Sequence, residues 1–499
     1  MVENVQSEVR ERADACIIGS GAGGAAVAWE LAKEGKTVVV LEKGSHFKVS
    51  DFDNMSELEL LSLWKGHGSQ LSRASLEDFP VNVAQGECLG GSTVINWGIC
   101  FPTPPAVLDR WTTKYNVENI SHEHMKPFFV QVFKDLSVTK ITNAGGPHKL
   151  LKQGCESFKP PYEGDWMSRN CRDCTEKRSA LVTFLKWVDE RGGRIYTDAV
   201  AQKILIREGK AVGVEGRIFN RQSNKSYKIH VDSKIVILAA GAIASSAFLL
   251  KNNLANSSGQ VGHGLSLHPS PAIIAEFEEE VNSQKELPMA FFCSEFNVMK
   301  TRQPGFMIES VCLAPAQLAP AIPSFGLNHK ELMKNYVHYA PAGILIQDEP
   351  LGSVTLNWGG EAVINYRLGA REIELLKKGI KETARVYLAA GAIDVFTSHI
   401  NETPHIQTEK DLDIIEKIPV YPGSIALGSA HPQGGDRMGS NKTESVVDSY
   451  CETHDVRNLF VCDASVFPTS VGVNPQITVM ALAARTGHYI NQNSAKYFA

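Results

Sequence analysis

Along the chain, buried-looking apolar runs alternate with tight glycine turns and small-residue helical stretches. Residues 15–18 form a short apolar run, and Gly19-Ser20-Gly21-Ala22-Gly23-Gly24 follows at once. Small and apolar residues then recur at helical spacing through Ala25, Ala28, Leu31 and Ala32. The pattern predicts strand, turn and helix, with Gly35 ending the helix as its C′ residue. Residues 37–41 are a β-branched run of the kind found in buried parallel strands. Residues 204–206 and 212–214 flank Glu208-Gly209, a hairpin signature. Residues 233–239 predict another buried strand, which enters Ala240-Gly241-Ala242 and an alanine-rich helix. Residues 459–462 predict one more strand, and Asn474-Pro475 opens a helix running to about Ile490, with proline at its first helical position.

Two regions break this pattern. Residues 111–190 are rich in aromatics, lysines and prolines and carry no βαβ signal. Residues 266–424 hold alternating runs at 272–277, 354–358 and 362–366, then a charged amphipathic helix over about 371–388. These predict an antiparallel sheet with helices behind it. The fold class expected is α/β, α+β overall. A discontinuous Rossmann-like nucleotide domain would comprise residues 1–110, 191–265 and 425–499. A second, substrate domain would comprise residues 111–190 and 266–424. The hexapeptide Leu-Ala-Ala-Gly-Ala-Ile stands at 238–243 after a strand pattern and at 388–393 after a helix pattern, which reads as coincidence.

Composition narrows the class. The chain has 499 residues, long enough for two or three domains, with 43% hydrophobic and 21% charged residues. Fifty Lys and Arg against 55 Asp and Glu give a net charge of −5, which offers no reason to expect a nucleic-acid partner. The ten cysteines are scattered, several in apolar runs, as reduced thiols are. Cys171-Arg172-Asp173-Cys174 is the one close pair; no second ligand pair follows it, so no metal site is expected. The N-terminus is charged and lacks an apolar leader segment. The longest apolar stretch, 235–250, is interrupted by Gly241, Ser245 and Ser246 and falls short of the roughly 20 residues of a membrane span. A cytoplasmic protein without a transmembrane segment is the resulting expectation.

Gly19-x-Gly21-x-x-Gly24 between strand and helix is a dinucleotide fingerprint. The first glycine makes the turn, the second admits a pyrophosphate to the backbone, and the third lets helix and strand approach. Ser20, Ala22 and Gly23 complete that turn, and Glu42 ends the following strand, where an acid can bind ribose hydroxyls. The fingerprint alone does not separate FAD from NAD.

A second patch does. Gly86-Glu87-Cys88-Leu89-Gly90-Gly91-Ser92-Thr93-Val94-Ile95-Asn96-Trp97 resembles the flavin-lining segment of the glucose–methanol–choline (GMC) oxidoreductases. At the C-terminus, 430–439 (AHPQGGDRMG), 461–468 (VCDASVFP) and 473–478 (VNPQIT) resemble three further motifs of that family, in family order. The resemblance implies FAD, with Gly90, Gly91 and Ser92 along the flavin and Asn96 near its reactive ring. It implies Asp463 and Ala464 at the ribityl or pyrophosphate part, Gly241 and Thr478 in the cofactor set, and the backbone of Val200 at the adenine. Pro475 would open a helix whose positive end favours the reduced flavin. His431 is implied as the base, since hydride removal from a carbinol needs the hydroxyl proton to leave and a histidine can take it. Asn474 would hold the alcohol oxygen, and an asparagine before proline is also a good helix cap. Asn96 stands where some relatives carry a flavin-linking histidine, so FAD should be non-covalent. Asp436-Arg437 reads as a structural charge pair. The loop of His263 and His268 resembles a segment that the family places near the flavin, and turn or core duty is the other reading for each.

Within the family, Ser429-Ala430-His431 and a shortened cysteine segment from Asn170-Cys171 to Ser179 are most similar to the long-chain alcohol oxidase branch. That branch's second cysteine group is missing, Glu87 and Cys100 do not fit the usual first signature, and Asp436 replaces a small residue or cysteine. The activity implied is oxidation of an alcohol to aldehyde or ketone, with oxygen or another electron acceptor as partner; the oligomeric state is left open. The alternatives are a sugar or polyol dehydrogenase using a non-oxygen acceptor and a fatty acid photodecarboxylase, which would not need the His/Asn pair.

Overall fold

The computed structural model describes residues 1–68, 70–172, 176–400 and 404–499. Its first sheet grows from strand β1 (Val9–Ile18), which leads into helix α1 (Ala22–Lys33) and strand β2 (Val38–Leu41). Ala15 to Ile18 are buried on both faces, which makes that stretch a continuous apolar run. Gly35 follows the α1 cap at φ +78°, the left-handed residue that closes the helix.

The sheet has seven strands. Arg194–Tyr196, β2, β1 and β3 (Lys225–Leu238) lie side by side in parallel, and the Ala199–Arg207/Lys210–Asn220 hairpin continues the sheet antiparallel from β3. Glu208 and Gly209 both have positive φ, as a two-residue hairpin turn requires. β3 runs on through Gly241 into helix α2 (Ala242–Asn252), and β4 (Leu459–Val461) joins β3 in parallel. Helix α3 (Gln476–Gln492) packs on α1, and the approach is close: a Cβ at Gly487 would lie 2.5 Å from that of Glu30.

Where the sequence suggested one antiparallel sheet, the other half is built on two, with a small third of Val138–Lys140, Ser168–Arg172 and Glu176–Lys177 beside them. Residues 272–276 belong to a seven-stranded sheet with His405–Ile406, Asp394–Phe396, Tyr339–Ile346, Phe306–Val311, Met289–Cys293 and Gly164–Trp166. Gly352–Leu356 and Ala362–Asn365 instead join His263–Ser266 and Gln433–Gly435 in a four-stranded sheet. Helix Ala370–Ala389 lies behind the larger sheet, where a Cβ at Gly379 would come within 2.7 Å of Ile344. Alternation splits Phe306–Val311 between two cores. Phe306 and Ile308 belong to the core that takes the apolar face of that helix, whereas Met307 and Val311 belong to the core that holds Val471, Val473 and α3.

No helix among the described residues is long and apolar enough to cross a membrane. Cys16, Cys88, Cys100, Cys155, Cys293, Cys312, Cys451 and Cys462 are buried thiols. Cys171 is also buried, and Cys174 lies outside the described residues.

Candidate active site beside a glycine cradle

The four glycines of the first turn divide into two groups. A Cβ on Gly19 would sit 2.3 Å from the Ala239 carbonyl oxygen, one on Gly23 1.7 Å from that of Cys462, and one on Gly24 2.1 Å from that of Gly19. These three let β3, β4 and α1 touch. Gly21 differs: its Cβ would meet no heavy atom within 4 Å. It stands at the N-cap of α1 with its side toward open space, and Ala22 begins the helix. Unpaired N–H groups at such a helix start attract a phosphate.

Ser20 links this turn to the second glycine patch. Its N–H and Oγ donate to Glu42 Oε2 at 2.9 and 2.6 Å, and its Oγ accepts from Gly90 N–H at 2.9 Å. Gly44 N–H donates to the other Glu42 oxygen at 2.7 Å. Burial raises the Glu42 pKa, and the Ser20 and Gly44 donors pull it back. Gly90 and Gly91 have φ of +92° and +54°, and a Cβ on Gly91 would lie 2.9 Å from Gly21 Cα, so the two patches face each other closely. Ser92 Oγ accepts from Gly86 N–H at 3.0 Å. Ala199 N–H donates to the Glu42 carbonyl at 2.8 Å, which brings the neighbouring Val200 to the same edge.

Asp463 is engaged by the protein itself. Gly241 N–H and Ser245 Oγ donate to its Oδ2 at 2.9 and 2.5 Å, and Ser465 N–H to its Oδ1 at 2.8 Å. The carboxylate thus joins the start of α2 to the short turn Ala464–Val466. Asn96 Nδ2 donates to Gln476 Oε1 at 2.9 Å, tying the second patch to the first residue of α3. Thr478 is turned into the core, its hydroxyl 2.8 Å from that of Thr103. Lys177, at the end of the shortened cysteine segment, is half-buried beneath this region. Its ammonium donates to the carbonyls of Val94, at 2.7 Å, and Asn96, and burial lowers its pKa to about 7, with Arg169 adding to the shift.

The C-terminal motifs bring His431 and Asn474 together, with Asn474 Nδ2 3.4 Å from His431 Nε2. Asn474 is not the cap of α3. Pro475 holds that place without a side-chain bond, and the Asn474 side chain is directed at His431 instead. Nor do Asp436 and Arg437 form a charge pair. Neighbours in extended backbone point to opposite sides. The Arg437 guanidinium donates to the Glu444 carbonyl and lies over Tyr115, while Asp436 is fully buried. Ser246 and Ser465 favour the charged form of Asp436, but neither carboxylate oxygen is in hydrogen-bond geometry; burial, with the nearby Asp463 charge, pushes its pKa up to about 7.

His268 belongs to this site rather than to a turn. Its Nδ1 lies 3.3 Å from His431 Nδ1, and its Nε2 accepts from Gly472 N–H at 3.0 Å. The carboxylate of Asp348 receives the backbone N–H groups of Leu267 and His268 and the hydroxyl of Tyr366. Because Nε2 of His268 is an acceptor, its Nδ1–H is the donor to His431, and the resting His431 proton lies on Nε2. Burial lowers the pKa of both imidazoles, that of His431 to about 4, so both are neutral at pH 7. Glu309 also faces Asn474, which favours its charged form, but burial dominates and raises it to about 8.

The open Gly21, the helix start behind it and the opposed Gly91 fit a dinucleotide's pyrophosphate, and the Asn96–Gln476 bond ties this cradle to the helix that follows Asn474. Fold and cradle together define an FAD-dependent oxidoreductase. The chain belongs to the GMC oxidoreductase family: residues 16–270 match its N-terminal domain and 349–483 its C-terminal domain. It is 29% identical to the long-chain-alcohol oxidase FAO1 of Arabidopsis thaliana over 94% of this chain, and spans 65% of that relative's length. It is 28% identical to the uncharacterized GMC-type oxidoreductase y4nJ of Sinorhizobium fredii, over 99% of this chain and 97% of that protein. A structure of formate oxidase from Aspergillus oryzae superposes with a TM-score of 0.76, at 15% identity over 98% of this chain and 99% of that one, a likeness of fold.

Proposed function

We propose that the protein oxidises an alcohol to an aldehyde or ketone, with His431 taking the hydroxyl proton and Asn474 holding the oxygen. The observation that carries this reading is the pairing of His431 and Asn474, 3.4 Å apart, beside the glycine cradle. Gly21, Gly90, Gly91 and the start of α3 would hold FAD, which would supply the hydride acceptor. The chain's own groups manage the proton and the oxygen. His431 is neutral across the physiological range because burial disfavours its charge, so it is available as an acceptor. Its contacts to His268 and Asn474, at 3.3 and 3.4 Å, are long and weak. Turning the His431 ring releases both; the neutral ring then takes its other tautomer, giving its Nε2 proton to water and receiving one from water at Nδ1, and Nε2 is left to accept the alcohol proton. Asn474 then turns its amide to the alcohol oxygen. FAO1 is named for long-chain alcohols, and an alcohol is the donor proposed here.

Anaerobic mixing with a panel of alcohols and sugars tests the reading. Bleaching of the flavin band identifies the donor, and readmitted air shows whether oxygen is the acceptor. Absence of bleaching by every alcohol would remove the proposal.

A further inference from the structure

Glu309 is an acid in an otherwise apolar wall. It lies on Phe306–Val311, and alternation gives it the same side as Met307 and Val311, whose core also holds Val473 next to Asn474. Its cross-strand neighbours are Phe292 and Gly343. Phe292 stacks edge-on against Phe101 at 4.9 Å, and Gly343 offers no side chain to pair with the acid. Glu309 is 5% exposed, and its Oε1 has no hydrogen-bond partner among the described residues. With the His431 proton on Nε2, the Asn474 amide oxygen is the group that accepts it, so the unpaired oxygen here is that of Glu309. An unpaired buried oxygen at the edge of a binding site is costly unless a ligand completes it.

A plain alkanol cannot complete it. Its one hydroxyl is used at His431, and its alkyl chain would leave Glu309 facing hydrocarbon. A second hydroxyl close to the carbinol carbon supplies the missing partner, donating to an unpaired oxygen and accepting from the protonated carboxyl. We propose that Glu309 is a specificity-determining residue that recognises a second hydroxyl on the alcohol, so that diols and more highly hydroxylated alcohols are preferred over alkanols of the same length. The inference rests on the alcohol-oxidation reading above. Burial, which keeps the carboxyl protonated to about pH 8, supports a neutral hydroxyl as the group recognised.

The holoenzyme tests this in two ways. Anaerobic stopped-flow reduction by 1-octanol and by 1,2-octanediol gives a ratio of efficiencies, expected to favour the diol by at least about tenfold, the scale of one buried hydrogen bond made or lost. Glu309→Leu should bring that ratio close to one, and Glu309→Gln, a neutral isostere with a donor and an acceptor, should keep part of it. The second measurement needs no turnover. Pinacol and 2,3-dimethyl-2-butanol have only tertiary hydroxyls and cannot give a hydride, so their dissociation constants follow from perturbation of the flavin spectrum. Pinacol should bind the parent at least about fivefold more tightly, and Glu309→Gln should retain part of that margin if Glu309→Leu does not fold. Equal efficiencies for the two octyl substrates, or a ratio unchanged in Glu309→Leu, would overturn the role of Glu309 while leaving alcohol oxidation intact. Failure of every alcohol to bleach the flavin would overturn the oxidation reading, and the pinacol comparison would still decide Glu309: equal binding of the two tertiary alcohols would overturn it.

Discussion

Replacing Gly21 by valine separates the glycines that serve the cofactor from those that serve the fold. The Gly21 backbone sits at φ −67° and ψ −163°, a region open to any residue, and its added Cβ meets no protein atom within 4 Å. The apoprotein should therefore change in stability by no more than about 1 kcal/mol, the net of a less favourable N-cap and a stiffer unfolded chain. The side chain would stand where a phosphate approaches the helix start. Losing even one charge-assisted hydrogen bond there removes about 1.5–3 kcal/mol, or about 10- to 150-fold in affinity. Gly23→Ala is the contrasting change. Its Cβ would be driven to 1.7 Å from the Cys462 carbonyl oxygen, so β4 and α1 must part, an overpacking cost of about 1–3 kcal/mol or more. The assay is FAD per chain by absorbance after gel filtration, with the melting temperature of the apoprotein. Gly21→Val should melt like the parent and carry little FAD, and Gly23→Ala should melt lower. A Gly21→Val protein that purifies fully yellow would refute the phosphate assignment.

Acid precipitation should release FAD into the supernatant, because Asn96 offers no nucleophile for a flavin bond; yellow colour retained in the pellet would contradict this. Asp436→Asn should stabilise the protein at high pH. The buried carboxyl has its pKa raised to about 7 against about 4 unfolded, so its contribution is present below pH 4 and falls as pH rises to about 7. The melting temperature of the variant should then gain on the parent between pH 5 and pH 8, and a gap independent of pH would contradict the burial and the Asp463 repulsion. Asn474→Ala should slow flavin reduction less than His431→Ala and leave α3 intact, since Asn474 does not cap it. The double variant should lose less than the product of the two single losses in reduction rate, because both groups grip one oxygen; full additivity would break that arrangement.

The elements legible in the sequence were those with an unambiguous period or punctuation. Gly19 to Gly24, the Glu208-Gly209 hairpin and Gly35 state their backbone needs in residue types. β1 begins at Val9, six residues before its apolar run, because Val9–Asp14 is mostly charged and alternates only in exposure, and only its far half is buried on both faces. Leu-Ala-Ala-Gly-Ala-Ile shows the limit of local reading. At 238–243 it leaves a strand and enters a helix, and at 388–393 it leaves a helix, with the glycine at positive φ in both. The division into two antiparallel sheets depends on pairings between distant strands, such as His263–Ser266 with Gln433–Gly435, which no local pattern encodes. In the site, His431 and Asn474 were visible through their motifs, whereas His268 depended on a tertiary contact. Glu309 left a trace, a single acid in the apolar run 306–313, which could have marked it.

Rapid anaerobic flavin reduction by a good donor alcohol, compared between the parent and His431→Ala at equal bound FAD, tests the central claim most directly. General-base assistance contributes about 10²- to 10⁴-fold, or about 3–5.5 kcal/mol in barrier height. The variant should fold, bind FAD and reduce it slower by that factor. Reduction within a few-fold of the parent would remove His431 from the chemistry.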